Sequence, residues 1–96
     1  MPVYVMLGSL THAAFDELDS IDERDRKAKE IIESLGGKLI ARYYTLGQYD
    51  FVVVFEMPEK ENLVKFLSIL GKFGTVRTET LEAIPSELLY RVAKTI

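Results

Sequence analysis

The chain has 96 residues, a formal net charge of −3 at pH 7 and no cysteine. The lack of cysteine excludes disulfides and thiolate metal sites, and the acidic balance disfavours binding to nucleic-acid phosphates. The length predicts one domain spanning residues 1–96. We find neither a run of about 20 apolar residues nor a signal-peptide pattern, so we expect a cytoplasmic protein with no membrane partner.

The first part of the chain predicts a strand followed by a helix. Val3–Ser9 is short, rich in β-branched residues and apolar on both alternating faces, as expected of a central strand. The mixed pattern of Thr11–Asp19 fits one helical turn. Ser20 then opens the capping-box pattern S-I-D-E, and the helix that follows ends at Gly36 and Gly37. Apolar residues recur along one face of this helix, at Ala28, Ile31, Ile32 and Leu35.

The second part of the chain predicts a hairpin, a helix, a strand and a terminal helix. Lys38–Leu46 and Phe51–Met57 predict two strands joined by the turn G-Q-Y-D. The next helix begins at Pro58, Thr75–Ile84 predicts the fourth strand, and Pro85 starts the terminal helix. The order β-α-β-β-α-β plus a helix predicts a ferredoxin-like α+β fold, with both main helices on one face of an antiparallel sheet.

The sheet face turned away from the two main helices predicts self-association. We expect apolar side chains from three strands on that face, namely Met6, Ile40, Val52 and Val54. An exposed apolar patch of this size would be a liability in a soluble monomer. We therefore expect a homo-oligomer in which a second subunit covers this face. The alternative is that the terminal helix folds back over part of it.

Several motifs together resemble the GYD domain family of small stand-alone proteins. They are G-Q-Y-D-F-V-V-V-F-E-M-P at Gly47–Pro58, S-L-G-G-K-L at Ser34–Leu39, V-R-T-E-T-L at Val76–Leu81 and the opening P-V-Y-V. The turn also resembles that of the ligand-sensing domain of leucine-responsive regulators. Those domains form dimeric α/β barrels and hold small effectors near subunit interfaces. The resemblance thus implies a homo-oligomeric module that binds a small metabolite.

The candidate ligand site is built around the carboxylate of the turn. Asp50 alternates with Val52 and Val54, so it would lie at the rim of an apolar cavity, where a carboxylate can orient a polar ligand. The structural alternative is that Asp50 caps backbone N–H groups of the turn. Arg77 and Glu79 share one strand face, as either a cross-strand pair or an anion clamp. The predicted ligand-binding residues are Tyr44, Tyr49, Asp50, Arg77 and Glu79.

Two other functions stay open. Small dimeric α/β-barrel proteins include cofactor-free oxygenases and isomerases, in which Asp50 or His12 would act as the base. A purely structural subunit is the third reading. We expect no metal and no cofactor, since the chain has one histidine and its aspartates lack the glycine and glutamate of a calcium loop. The third strand also departs from the RNA-recognition pattern, so no nucleic-acid partner is expected.

Overall fold

The computed structural model describes all residues from Met1 to Ile96 and contains four strands and four α-helices. The strands are β1 (Val3–Leu10), β2 (Lys38–Tyr44), β3 (Phe51–Glu56) and β4 (Val76–Ala83). The helices are α1 (His12–Asp16), α2 (Ile21–Ser34), α3 (Lys60–Phe73) and α4 (Ser86–Ala93), and a short 3-10 turn at Leu18–Ser20 precedes α2. None of the helices is long and apolar enough to cross a bilayer.

The four strands form one antiparallel sheet in the order β2-β3-β1-β4. This order, with α2 and α3 on the same side, confirms the predicted ferredoxin-like α+β fold. Glycines end the two main helices: Gly36 follows α2 with φ 84°, and Gly74 follows α3 with φ 68°. Both angles lie in the left-handed region that glycine adopts without strain.

Ser20 is the N-cap residue of α2, as predicted, but the hydrogen bond of the capping box is not formed. The hydroxyl of Ser20 donates to the carbonyl oxygen of Glu17 at 3.0 Å and makes no cap bond to the helix. Ser20 is the last residue of the 3-10 turn that runs directly into α2, so its side chain closes that turn instead.

The core lies between the sheet and the two main helices. It is built from alternate residues of β1 and β3 that meet side chains from α2 and α3. Phe55, for example, lies edge-on to Phe66 of α3 with ring centroids 5.3 Å apart. The buried cluster consists of Tyr4, Met6, Ile32, Phe51, Val53, Phe55, Met57, Leu63 and Phe66.

Of the four residues predicted for the opposite sheet face, Met6 lies in the core and Ile40 is an exposed residue of a β-bulge. Met6 pairs with Val53 in the register and is only 2 % exposed, so it belongs to the core. Ile40 falls in a β-bulge: the register passes from Leu39 opposite Phe55 to Ala41 opposite Val54, leaving residue 40 as an extra residue. The prediction for Met6 failed because β1 is apolar on both alternating faces. The bulge reverses the alternation of β2 beyond Ile40.

We call the surface turned away from α2 and α3 the open face. The register places three residues of β1 on it together with their neighbours from the other strands. Val52 and Val54 are confirmed there and are half-buried by their neighbours. The apolar members of the open face are Val3, Val5, Leu7, Ala41, Tyr43, Val52, Val54, Leu81 and Ala83.

The terminal helix α4 does not cover the open face, so that alternative is wrong. None of its residues is buried, and its hydrogen bonds to residues outside the helix are all to immediate chain neighbours, such as that from the Leu88 N–H to the Pro85 carbonyl oxygen. The Cα radius of gyration is 14.9 Å, against about 12–13 Å for a compact domain of this length. A helix that projects from the body accounts for the difference.

Candidate functional site

A cavity of about 300 Å³ lies on the covered side of the sheet, between α2, α3 and the strands. Thirteen of its 18 lining residues are hydrophobic. Met6, Phe51 and Val53 line it from the sheet, whereas Phe66 lines it from α3. Ala28 on α2 also lines the cavity, with one of the smallest side chains in the lining.

Three polar side chains form one end of the cavity, and we call them the polar triad: Asp25 of α2 with Arg42 and Tyr44 of β2. The Tyr44 hydroxyl lies 2.9 and 3.0 Å from the two carboxylate oxygens of Asp25 and donates to them. Nη2 of Arg42 donates to the backbone carbonyl oxygen of Asp25 at 2.9 Å. Both strand residues reach α2 because the bulge after Leu39 turns positions 42 and 44 to the covered side.

Burial and the Asp25 carboxylate both act on Tyr44. Burial raises the pKa of the Tyr44 hydroxyl above its ordinary value, and the hydrogen bond to the Asp25 carboxylate raises it further. The hydroxyl therefore stays protonated and remains a donor. With its donor fixed on Asp25, Tyr44 holds the carboxylate of that residue in place.

The Arg42 guanidinium is the least satisfied member of the polar triad. Its side chain is 19 % exposed, and of its five N–H groups one has an acceptor in the chain. Nη1 lies 3.9 Å from Oδ2 of Asp25, which is too far for a hydrogen bond. Arg24 and Lys27 also line the cavity, and Arg24 is paired with Glu17. Glu17 offsets Arg24 and Asp25 offsets Arg42, so one net positive charge remains at this cavity, from the exposed Lys27.

The five predicted ligand-binding residues do not share one pocket. Tyr44 lines the cavity on the covered side. Tyr49 and Glu79 meet at one end of the open face, where the tyrosine hydroxyl donates to Oε2 of Glu79 at 2.9 Å. Arg77 lies on the same face, opposite Ser9 of β1, and makes no ion pair. That these residues bind a ligand stays a prediction.

The carboxylate at the mouth of β3 extends the sheet. Oδ2 of Asp50 accepts a hydrogen bond from the backbone N–H of Leu10 at 2.8 Å, and the backbone N–H of Asp50 donates to the carbonyl oxygen of Gly8 at 2.8 Å. The loop before it is closed by Thr45, whose backbone N–H donates to the carbonyl oxygen of Asp50 at 2.8 Å. Asp50 does not line the cavity, and its carboxylate accepts from the backbone of β1 just before β3 begins at Phe51.

The candidate bases for an enzyme are also outside the cavity. His12 is exposed at the start of α1, with Nε2 3.8 Å from Oδ1 of Asp16. Neither His12 nor Asp50 lines the cavity.

Sequence reasoning missed Asp25 and Arg42. Asp25 is one of several aspartates that recur in this part of the chain, so nothing set it apart. Arg42 carried a usable signal, because a charged residue stands there between apolar and aromatic residues in a strand. The side of the sheet to which the Arg42 side chain points could not be predicted without knowing that β2 contains a bulge.

Comparison with known proteins agrees with this architecture. The family model described as GYD domain matches residues 4–93, and the chain belongs to that family. A protein of Thermus thermophilus, named "Glutamine synthetase and cystathionine beta-lyase binding protein", is 34% identical over 94 residues, which covers 96% of this chain and 99% of that protein.

Two solved structures show the same fold at low identity. The 30S ribosomal protein S6 of Thermotoga maritima superposes with a TM-score of 0.68 at 15% identity, covering 97% of each chain. FFRP-DM1 superposes with a TM-score of 0.62 at 19% identity, covering 88% of this chain and 100% of that one. Both likenesses show the ferredoxin-like fold.

Proposed function

We propose that this GYD-domain protein is a homo-oligomeric module that binds a small metabolite in the cavity between α2, α3 and the sheet. The cavity is the observation that carries the proposal. Ligand sites are concave, mainly apolar and about 300–1,000 Å³ in volume, with a few polar groups that fix orientation. This cavity has a volume of about 300 Å³ and the polar triad at one end. A cytoplasmic location, expected from the sequence, is part of the same proposal.

The open face supports the homo-oligomeric part of the proposal. Its centre is a continuous set of valines and leucines from three strands, next to Glu79, which pairs with Leu7. Leu81 in β4 is 46 % exposed. A second copy of the chain would remove this surface from water at about 25 cal/mol per Å² of apolar area.

Tyr49, Arg77 and Glu79 would then lie near the rim of the subunit interface. We propose that this second polar cluster contributes to ligand binding or to pairing between subunits. The free guanidinium of Arg77 supports this, because it has no ion-pair partner within its own chain. Asp50 is next to the cluster in sequence but is bonded to the backbone of β1.

Thermal-shift screening against metabolite mixtures tests the proposed function. A ligand for the cavity should raise the melting temperature of the parent chain, and Ala28→Leu should abolish the rise because the larger side chain fills the space. The matched control is Ala13→Leu, which makes the same change at an exposed position of α1. A ligand that protects the parent and the Ala28→Leu variant equally would place binding elsewhere.

The fate of the ligand separates the three functions. A ligand recovered unchanged supports the binding module, whereas a ligand that is converted supports an enzyme of the dimeric α/β-barrel type. If no mixture raises the melting temperature, the structural subunit is favoured.

A second candidate function is binding of a partner enzyme. The name of the Thermus thermophilus relative favours it, and so does α4, whose apolar side chains are exposed. Sedimentation of the parent chain with purified glutamine synthetase, and separately with purified cystathionine β-lyase, tests this candidate. Leu89→Lys on α4 should weaken any complex, whereas Ser68→Lys on an exposed position of α3 should not.

A further inference from the structure

Arg42 has the environment of an anion receptor. Its side chain is 19 % exposed, and its nitrogens are not among the buried polar atoms without a partner, so solvent reaches the donors that the chain leaves free. Four of its five N–H groups have no acceptor in the chain, and the one bond it makes is to a backbone carbonyl oxygen. The guanidinium lines an apolar cavity, so a carboxylate arriving through that cavity would find unoccupied donors.

The Asp25 carboxylate does not already accept hydrogen bonds from the free donors of Arg42. Both oxygens of Asp25 are within 3.0 Å of the Tyr44 hydroxyl, and the nearer contact to an Arg42 terminal nitrogen is 3.9 Å. Tyr44 therefore holds Asp25 away from a bidentate pair with Arg42. Such fork-to-fork pairing is the strongest geometry available between a guanidinium and a carboxylate.

The rest of the lining defines the other end of the ligand. Beyond the polar triad the wall is aliphatic and aromatic, with Ile32 on α2, Leu70 on α3 and Phe51 on β3. Lys27 adds a second positive charge to the wall. We infer that the cavity takes a small carboxylic acid with an apolar body, whose carboxylate is bound by Arg42 and whose body lies against α2, α3 and the sheet. This inference rests on the proposed function and specifies its ligand class.

Three probes of nearly the same shape test the charge preference. The acid is 3-phenylpropionate, the neutral isostere is 3-phenylpropanamide, and the cation is 3-phenylpropylamine. Isothermal titration of the parent chain should show the acid binding at least about tenfold tighter than the amide, since a charged hydrogen bond adds about that much affinity. The amine should bind most weakly, because it would meet the net positive charge of the lining.

Substitutions of Arg42 test whether this residue causes the preference for the acid over the amide. Arg42→Gln should remove the difference between acid and amide, and Arg42→Lys should retain only part of it because the planar fork is lost. The control is Arg26→Gln, an exposed arginine of α2 that does not line the cavity and that should leave all three affinities unchanged. Circular dichroism on each variant separates lost binding from lost folding, and Arg42→Lys serves if Arg42→Gln does not fold.

The results of these titrations test the carboxylate preference separately from metabolite binding itself. Equal binding of acid and amide, or tighter binding of the amine, overturns the carboxylate inference while supporting a metabolite site. Acid preference that survives in Arg42→Gln overturns the role of Arg42. Failure of all three probes to bind also overturns the inference. The metabolite-binding proposal fails only if the mixture screen finds no ligand whose binding is abolished by Ala28→Leu.

Discussion

Val53 and Val54 are neighbours in β3 and identical in chemistry, yet they lie in different environments. Val53 is 6 % exposed beneath the helices, whereas Val54 is half-buried on the open face. The same alternation divides the whole sheet into a covered side and an open side. The covered side therefore holds the hydrophobic core and a cavity, while the open side is apolar and is not covered by any other part of the chain.

The largest effect should come from a charge placed on the covered side. Val53→Lys buries an ammonium group in the core, and we expect a loss of more than about 4 kcal/mol in the free energy of unfolding. Since domains of this kind have only about 5–15 kcal/mol of stability, this loss removes a large part of it and lowers the denaturation midpoint strongly. Urea denaturation followed by circular dichroism measures this loss.

The matched change on the open side should alter assembly instead. Val54→Lys can hold its ammonium group in water, so we expect a folded chain whose mass in light scattering falls to that of the 10.9 kDa monomer. The parent chain should have a multiple of that mass at micromolar concentration. A parent chain that is itself monomeric would contradict the proposed homo-oligomer.

The alternation seen at these two valines also shows which parts of the fold could be predicted from the sequence. The element order, the ferredoxin-like plan and the side of the sheet that carries Val52 and Val54 followed from periodicity and turn chemistry. The faces of Met6 and Arg42 did not. β1 is apolar on both parities, so the pattern could not say which parity faces the helices, and a single extra residue at Ile40 reversed the faces beyond it in β2.

The candidate site was the least predictable part, because a cavity depends on packing across the chain. Tyr44 was identified from its type, but its partner Asp25 lies 19 residues away on another element. Asp50 was identified from its position, and the structure gives its carboxylate a backbone partner in β1. Neither contact has a local sequence signal.

A smaller effect is expected at the turn that joins β2 to β3. Asp50→Ala leaves the backbone N–H of Leu10 without its acceptor, and we expect a loss of about 1–2 kcal/mol in the free energy of unfolding. Asp50→Asn keeps an acceptor of nearly the same shape and should cost less than about 1 kcal/mol. Asp16→Ala, at an exposed aspartate, is the control. Equal stability of all the Asp50 variants would mean that the bond to Leu10 contributes nothing to the fold.

The smallest effect is expected at Tyr44 and is seen in alkali. Because the folded chain raises the pKa of Tyr44, its contribution to stability is fully present below the unfolded value of 10.0 and is lost as the pH rises towards the folded value. Tyr44→Phe should cost about 1 kcal/mol at neutral pH. The difference in unfolding free energy between parent and variant should shrink above pH 10. A difference that stays constant to pH 11 would show that the hydroxyl titrates normally.

Methyl NMR during titration with 3-phenylpropionate tests most directly that the covered side, and not the open side, holds the ligand. Methyl resonances that line the cavity, such as those of Ile32, Leu70 and Val76, should shift with a common affinity. Those of Val5 and Val54 on the open face should stay in place. Shifts confined to Val5 and Val54, with the cavity resonances unchanged, would contradict the assignment of the cavity as the ligand site.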